Sequence, residues 1–214
     1  MKIIVQKFGG TSVATSEARQ KAIAKIKQAK DKGYAIVVVV SAMGRQGEPY
    51  ATDTMLNLIK SIYSEVSPRE QDLMISCGEV ISSVVMVHEL GKAGIDAVAL
   101  TGSQAGILTD DRFGEAQITN INTSRLKEIL SEGKVAVVAG FQGATMRGDI
   151  TTLGRGGSDT TATALGAALG AEMVEIYTDV DGVMTVDPRI VAGAKILPRI
   201  TYREIFEMAT QGAK

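Results

Sequence analysis

The sequence is 214 residues long, 45% hydrophobic and 22% charged, which identifies a globular protein with one large core, or a core and a small lobe. Lysine and arginine total 23 against 24 aspartate and glutamate, so the formal charge of −1 excludes a global field for nucleic acid or an acidic membrane, and any anion site must be local. The lone cysteine, Cys77, excludes an internal disulfide and a multi-cysteine metal site and points to a cytoplasmic protein; the start MKIIVQKFGG lacks signal-peptide features, and no stretch is expected to approach the roughly 18 apolar residues of a membrane span.

In chain order, KIIVQKF (2–8) predicts a strand and residues 16–32 a helix, with Ala18, Ala22, Ile26 and Ala29 on one stripe and Gly33 as its stop. AIVVVVS (35–41) predicts a second strand, and MGRQGEPYATD (43–53) a mobile loop over a site. SPRE places Ser67 at an N-cap, Pro68 at the first helical position and Glu70 where it closes a capping box, opening a helix that runs past Glu79 to about Gly91. IDAVAL (95–100) predicts a strand, GILTDDRFGEAQITNIN (106–122) a hairpin turning near Gly114, and KVAVVAGF (134–141) and EMVEIYT (172–178) two more strands. TYRE, Thr201 to Glu204, repeats the capping-box logic. AIVVVV and VAVV lack polar alternation, so helices should cover both faces of a parallel sheet: an α/β protein. Without repeats or an interdomain linker, one domain over 1–214 is the economical reading.

Chemistry concentrates where strands end. TTLGRGGSDTTATALGAALGA (151–171) is a glycine-rich bend emptying into an alanine-rich helix, whose unpaired first N–H groups attract an anion. Arg155 adds a fork for carboxylate or phosphate, and Ser158 or Asp159 can cap the helix; the stretch reads equally as a glycine turn with an ordinary N-cap and a solvated arginine. In KFGGTS (7–12), Lys7 sits at the carboxyl end of the first strand, where open α/β sheets bind ligands, and Gly9 and Gly10 free N–H groups beside it. A phosphate suits that bend, or Lys7 is a solvent-facing strand-end lysine. Neither bend carries GxxxxGK[ST] or GxGxxG. TDVDGVMTVDPR (178–189) gathers Asp179, Asp181 and Asp187 as a metal loop or a solvated acidic turn, without calcium-loop spacing. Glu79, in SCGEVISS, meets a substrate ammonium if its helix face lines a cleft, and is otherwise a surface glutamate; His88 and Cys77 have no partner motif.

KFGGTS, SAMG with Ser41, GE with Glu79, TGSQAGILT (101–109), VAGFQG (138–143), TTLGRGGSDTTA (151–162) and YTDVDGVMTVDPR (177–189) together resemble, in that order and over essentially the whole chain, the aspartate kinases of the amino-acid kinase family. The resemblance implies a three-layer αβα sandwich with a mainly parallel central sheet, the carbamate-kinase-like fold. It implies phosphoryl transfer from ATP with Mg²⁺ to the side-chain carboxylate of L-aspartate, giving 4-phospho-L-aspartate, the first step of lysine, threonine and methionine synthesis.

By matching position, Lys7 would lie between the phosphates and the acceptor. Asp159 would organise Lys7 and the metal rather than act as a base, because the acceptor carboxylate is already ionised. The resemblance puts Arg155 on the aspartate α-carboxylate with Ser158 and Thr52, Glu79 on the α-ammonium, and Ser41, Gly156 and Gly157 in the same substrate site. It assigns the nucleotide to Lys7, Phe8, Gly9, Gly10, Thr178, Asp179, Met184, Arg189 and Lys214, with the metal held mainly by the nucleotide phosphates and no protein metal site. Relatives commonly have an aromatic residue where Met184 stands. The implied partners are L-aspartate and ATP, not nucleic acid or membrane, with a homodimer or a regulatory chain as the assembly. The sequence ends inside a longer family motif, so a C-terminally truncated catalytic domain without regulatory domains, insensitive to lysine or threonine, is expected. The alternatives are a non-catalytic ligand-binding or scaffold fragment of such an enzyme, and a sister kinase with another acceptor.

Overall fold

Valine and isoleucine runs that lack polar alternation bury best between two layers of helix, and they form the centre of this molecule. The computed structural model describes residues 1–45, 47–180, 182–186, 190–191 and 193–210. They fall into two compact units, Met1–Thr178 and a C-terminal unit from Asp179.

The first unit runs β1 (Ile3–Phe8), α1 (Gly10–Ala14), α2 (Ser16–Asp31), β2 (Ala35–Val40), α3 (Thr52–Ile62), α4 (Pro68–Lys92), β3 (Ala97–Leu100), β4 (Ile107–Thr109), β5 (Ile118–Ile121), α5 (Ser124–Ser131), β6 (Val135–Ala139), β7 (Gln142–Ala144), β8 (Ile150–Thr152), α6 (Gly157–Leu169) and β9 (Met173–Tyr177). The five expected strands form one parallel sheet, ordered β3-β6-β2-β1-β9. Successive side chains point to opposite faces, so each strand serves two cores. Ile4, Phe8, Val38, Val40 and Val137 pack with Ile26 of α2 and Met86 and Leu90 of α4. Ile3, Val5, Val37, Val39 and Val138 pack on the other face with Leu126 of α5 and Leu165 of α6. The result is the three-layer αβα sandwich. Each fully buried valine, isoleucine or leucine contributes about 1.5–3 kcal/mol, which makes β2, with Val37 to Val40 wholly buried, the anchor of the sheet.

The hairpin expected at 106–122 is β4 paired antiparallel with β5. It belongs to a second sheet, β5-β4-β7-β8, in which β7 and β8 are antiparallel. Sequence reasoning did not anticipate β7 and β8, because QGA and ITT are too short to show a period of two. Buried hydroxyls hold this sheet as well: Thr109 Oγ1 and Thr151 Oγ1 are 2.6 Å apart.

Helix α4 opens as expected with Pro68 in its first turn, and Ser67 Oγ accepts the Glu70 N–H at 3.4 Å. Glu70 does not reach back to complete the box; its carboxylate accepts from Arg69. The expectation that no stretch approaches a membrane span is corrected here, since α4 is long and apolar enough, by length and composition, to cross one. Its place in the fold accounts for that apolarity, because it packs on α2, α3, β2, β3, β6 and β8. It also carries two buried carboxylates, Asp72 and Glu79.

In the C-terminal unit, Met184 and Ile196 form an antiparallel bridge, and the Leu197 N–H donates to Val183 O at 2.8 Å. Its helix α7 (Tyr202–Thr210) starts with the expected box. Thr201 Oγ1 accepts the Glu204 N–H at 3.2 Å, and Glu204 accepts the Thr201 N–H at 2.8 Å. Asp181 and Asp187 of the acidic bend lie outside the described residues.

Candidate active site

In the first unit a cleft of about 760 Å³ opens at the carboxyl end of β1, between the 41–53 segment, the first half of α4, the hairpin tip and the bend that starts α6. Lys7, Gly10, Ser41, Thr52, Glu79, Arg155, Gly156, Gly157, Ser158 and Asp159 all line it. Ten positions singled out from five stretches of sequence therefore share one cavity.

Lys7 is not a solvated strand-end lysine. Its side chain is 10% exposed, and Nζ lies 2.7 Å from Asp159 Oδ1 in the first turn of α6. Asp159 is half-exposed to the cleft.

The start of α6 explains why Asp159 is available. Its N-cap is Gly156 at φ 76°, a left-handed conformation that glycine adopts without steric cost, and no side chain caps the helix. The expectation that Ser158 or Asp159 caps it is thereby corrected: both lie within the first turn, past the N-cap. The bend's carbonyls also accept its own amides, Gly157 N–H to Gly154 O at 3.0 Å and Asp159 N–H to Gly156 O at 2.9 Å. These amides are therefore already paired within the bend. Arg155 is exposed on the cleft wall and makes no ion pair among the described residues.

The KFGG bend differs in a similar way from a free phosphate cradle. The Phe8 ring is buried and stacked on Tyr177, centroids 4.9 Å apart, so its side chain belongs to the core. The Gly9 N–H donates to Tyr177 O at 3.2 Å. Neither Phe8 nor Gly9 lines the cleft. Gly10 does, and its lack of a side chain has a packing reason: a Cβ there would stand 2.7 Å from Ala42 O and 2.9 Å from Gly44 O.

Glu79 is no surface glutamate. It is 3% exposed; Oε1 accepts the Ala42 N–H at 3.0 Å, and Oε2 has no hydrogen-bond partner among the described residues. Burial pushes its carboxyl up to about 8, against the opposing pull of the Ala42 amide. A buried carboxylate oxygen without a donor is costly, and a cation in the cleft would relieve that cost.

Asp72, Phe113 and Phe141 also line the cleft and were missed. Phe141 sits at φ 68°, the single non-glycine residue with positive φ among those described, and donates its N–H to Thr161 Oγ1 at 3.0 Å. No local signal marks these three; the hairpin and the short strands bring them in. Of the other nucleotide candidates, Thr178 ends the first unit, Asp179 and Met184 belong to the second, and Arg189 and Lys214 lie outside the described residues. Among the described residues no three or more His, Cys, Asp or Glu side chains gather to hold a metal ion.

With this geometry established, comparison with known proteins is decisive. The profile of the amino acid kinase family matches residues 2–214. The chain belongs to the amino acid kinase family. Within that family it is 58% identical over 214 residues to aspartokinase 1 of Bacillus subtilis strain 168, covering 100% of this chain and 53% of that one. It is 51% identical to the aspartokinase of Geobacillus stearothermophilus, again over 100% of this chain and 51% of the relative. The chain thus spans about half the length of the curated relatives it matches. Among solved structures of the family, E. coli aspartokinase III in complex with aspartate and ADP superposes with a TM-score of 0.80 at 32% identity, over 98% of this chain and 56% of that one. The aspartate kinase from Synechocystis gives 0.81 at 45%, over 99% and 34%.

Proposed function

We propose that this amino acid kinase chain carries the catalytic portion of an aspartate kinase, transferring the γ-phosphoryl group of ATP to the side-chain carboxylate of L-aspartate. The observation that carries the reading is the unpartnered Glu79 Oε2 in the same cleft as the unpaired guanidinium of Arg155. A buried acid and a free arginine fork match the ammonium and carboxylate of an amino acid, whereas a nucleotide acceptor offers no ammonium. The names of the relatives, and the aspartate and ADP in the aspartokinase III complex, support the same acceptor.

On this reading Arg155 takes the α-carboxylate, helped by Ser158 and Thr52, and Glu79 takes the α-ammonium. The side-chain carboxylate then points toward Lys7. That carboxylate is an anion at neutral pH, so no base is needed, and catalysis consists of positioning and charge stabilisation. Lys7 offers its charge where charge spreads over the transferred group, and Asp159 holds Lys7 in place. Mg²⁺ bound to the nucleotide would neutralise phosphate charge; Asp159, half-exposed in the cleft, is the carboxylate fitted to approach it. Lys7, Gly10 and Ser41 form the phosphate side of the cleft, and Phe8, Gly9, Thr178, Asp179, Met184, Arg189 and Lys214 remain proposed nucleotide contacts. Residues 1–214 then act as a single catalytic domain.

The test is a coupled assay of ADP release with Mg-ATP, with and without L-aspartate, trapping the product as its hydroxamate. Aspartate-dependent ADP and hydroxamate in equal amounts are expected. ADP release indifferent to aspartate, or none from folded protein that binds ATP, overturns the reading.

A further inference from the structure

Asp72 is a buried carboxylate with no cation beside it. It is 1% exposed, and among the described residues it makes no ion pair. Burying an ionised carboxylate is unfavourable unless donors replace its water, and here three do. Oδ2 accepts the Gly114 N–H at 2.9 Å and the Thr152 N–H at 2.8 Å, and Oδ1 accepts the Thr152 hydroxyl at 2.7 Å.

Those donors belong to two different walls of the cleft. Gly114 is at the tip of the β4–β5 hairpin, beside Phe113, and Thr152 is the last residue of β8, from which the bend carrying Arg155 departs. Thr152 is held from the other side as well, since its carbonyl accepts the Ala116 N–H at 2.9 Å. The two walls touch: a Cβ on Gly154 would lie 3.2 Å from Gly114 O. Asp72 therefore sits beneath a contact between hairpin and bend. Its neighbours on α4 reach the same sheet, Arg69 through Asp149 at 2.7 Å and the Ser76 carbonyl through Gln142 Nε2 at 2.9 Å. The Arg69 pair is half-exposed and contributes little, so the buried acid is the member that fixes geometry. Two turns further along the same helix stands Glu79.

We infer that Asp72 is a positioning residue for the acceptor end of the cleft: from α4 it holds the hairpin tip against the bend and so sets Arg155 at its distance from Glu79. This rests on the aspartate kinase reading. Asp72 does not touch the acceptor in this account; it acts through Thr152 and Gly114.

Two substitutions separate positioning from bulk stability. Asp72→Ala removes both acceptor oxygens and with them all three hydrogen bonds. Asp72→Asn keeps them, since its carbonyl oxygen serves the two amides and its NH₂ donates to a Thr152 hydroxyl turned around to accept. In steady-state kinetics, Asp72→Ala is expected to raise the KM for aspartate by about tenfold or more while the KM for ATP stays close to wild type, with a lowered thermal midpoint because buried donors lose their acceptor; Asp72→Asn restores the aspartate KM to within about threefold. Equal losses for both substrates, or no change in either KM, overturn the inference. Should the wild-type chain show no aspartate-dependent turnover, the functional reading fails and amide hydrogen exchange decides this one. Faster exchange in Asp72→Ala confined to 112–116 and 152–157, with β1 and β2 unchanged, upholds the coupling; unchanged exchange at those segments overturns it.

Discussion

Lys7 Nζ and Asp159 Oδ1 stand 2.7 Å apart, so the carboxyl end of β1 and the first turn of α6 meet in one ion pair at the floor of the cleft. The lysine is nearly enclosed and the aspartate half-open, an arrangement that aims a fixed positive charge at whatever enters. Lys7→Ala is expected to lower kcat about 10²–10³-fold while changing the aspartate KM far less, because a charge that meets the transferred group matters most in the transition state. Near-wild-type kcat would remove the role. Asp159→Asn keeps the shape but loses the pair; with one partner half-exposed, the stability loss is on the order of 1 kcal/mol, readable by urea denaturation.

Arg155 is exposed and free of ion pairs among the described residues, so its removal leaves the fold alone. Arg155→Ala is expected to shift stability by less than about 0.5 kcal/mol and to raise the aspartate KM about tenfold or more. Arg155→Lys does not restore it, since a point charge lacks the planar fork. An unchanged aspartate dependence would take Arg155 out of the site.

Glu79 makes the free protein sensitive to pH. Its carboxyl rises from 4.5 to about 8 on folding because burial disfavours the charged form. Between those values the folded state holds a proton that the unfolded state has released, so stability is greatest below pH 4.5 for this group and falls as pH rises toward 8. The slope is at most about 1.4 kcal/mol per pH unit, and Glu79→Gln abolishes it. On the proposed reading, a substrate ammonium would reverse the preference by pairing with the ionised form. L-Aspartate affinity is therefore expected to weaken as pH falls below about 8, with proton release on binding. Calorimetry in buffers of different ionisation enthalpy measures that release, and its absence would contradict the pairing.

At Gly10 a methyl group would press on the carbonyls of Ala42 and Gly44. Gly10→Ala is expected to cost about 1–3 kcal/mol of stability, measured by thermal unfolding. It also displaces the Ala42 amide that Glu79 accepts, so aspartate binding weakens in parallel. A variant as stable as wild type would show that the 42–44 backbone yields freely.

The sequence alone determined the parallel sheet, because an apolar run such as AIVVVV is comfortable only between two helical layers, and the capped helix starts at Ser67 and Thr201, because capping is a local interaction. It also marked Lys7, Glu79, Arg155 and Asp159, since lysine, glutamate and glycine-rich bends at strand ends and beside helices stand out from their surroundings. Tertiary structure decided the rest. Whether Glu79 faces water or a cleft depends on what packs over α4, and one helix face looks like another until β7 and β8, too short to carry a period, are in place. Asp72 was invisible for the same reason: its donors, Gly114 and Thr152, lie far along the chain, and only the folded sheet brings them to one carboxylate. Tertiary structure likewise stacks the Phe8 ring on Tyr177 and ties the Gly9 amide to the Tyr177 carbonyl, because a neighbouring strand offers a ring and a carbonyl that sequence spacing cannot reveal.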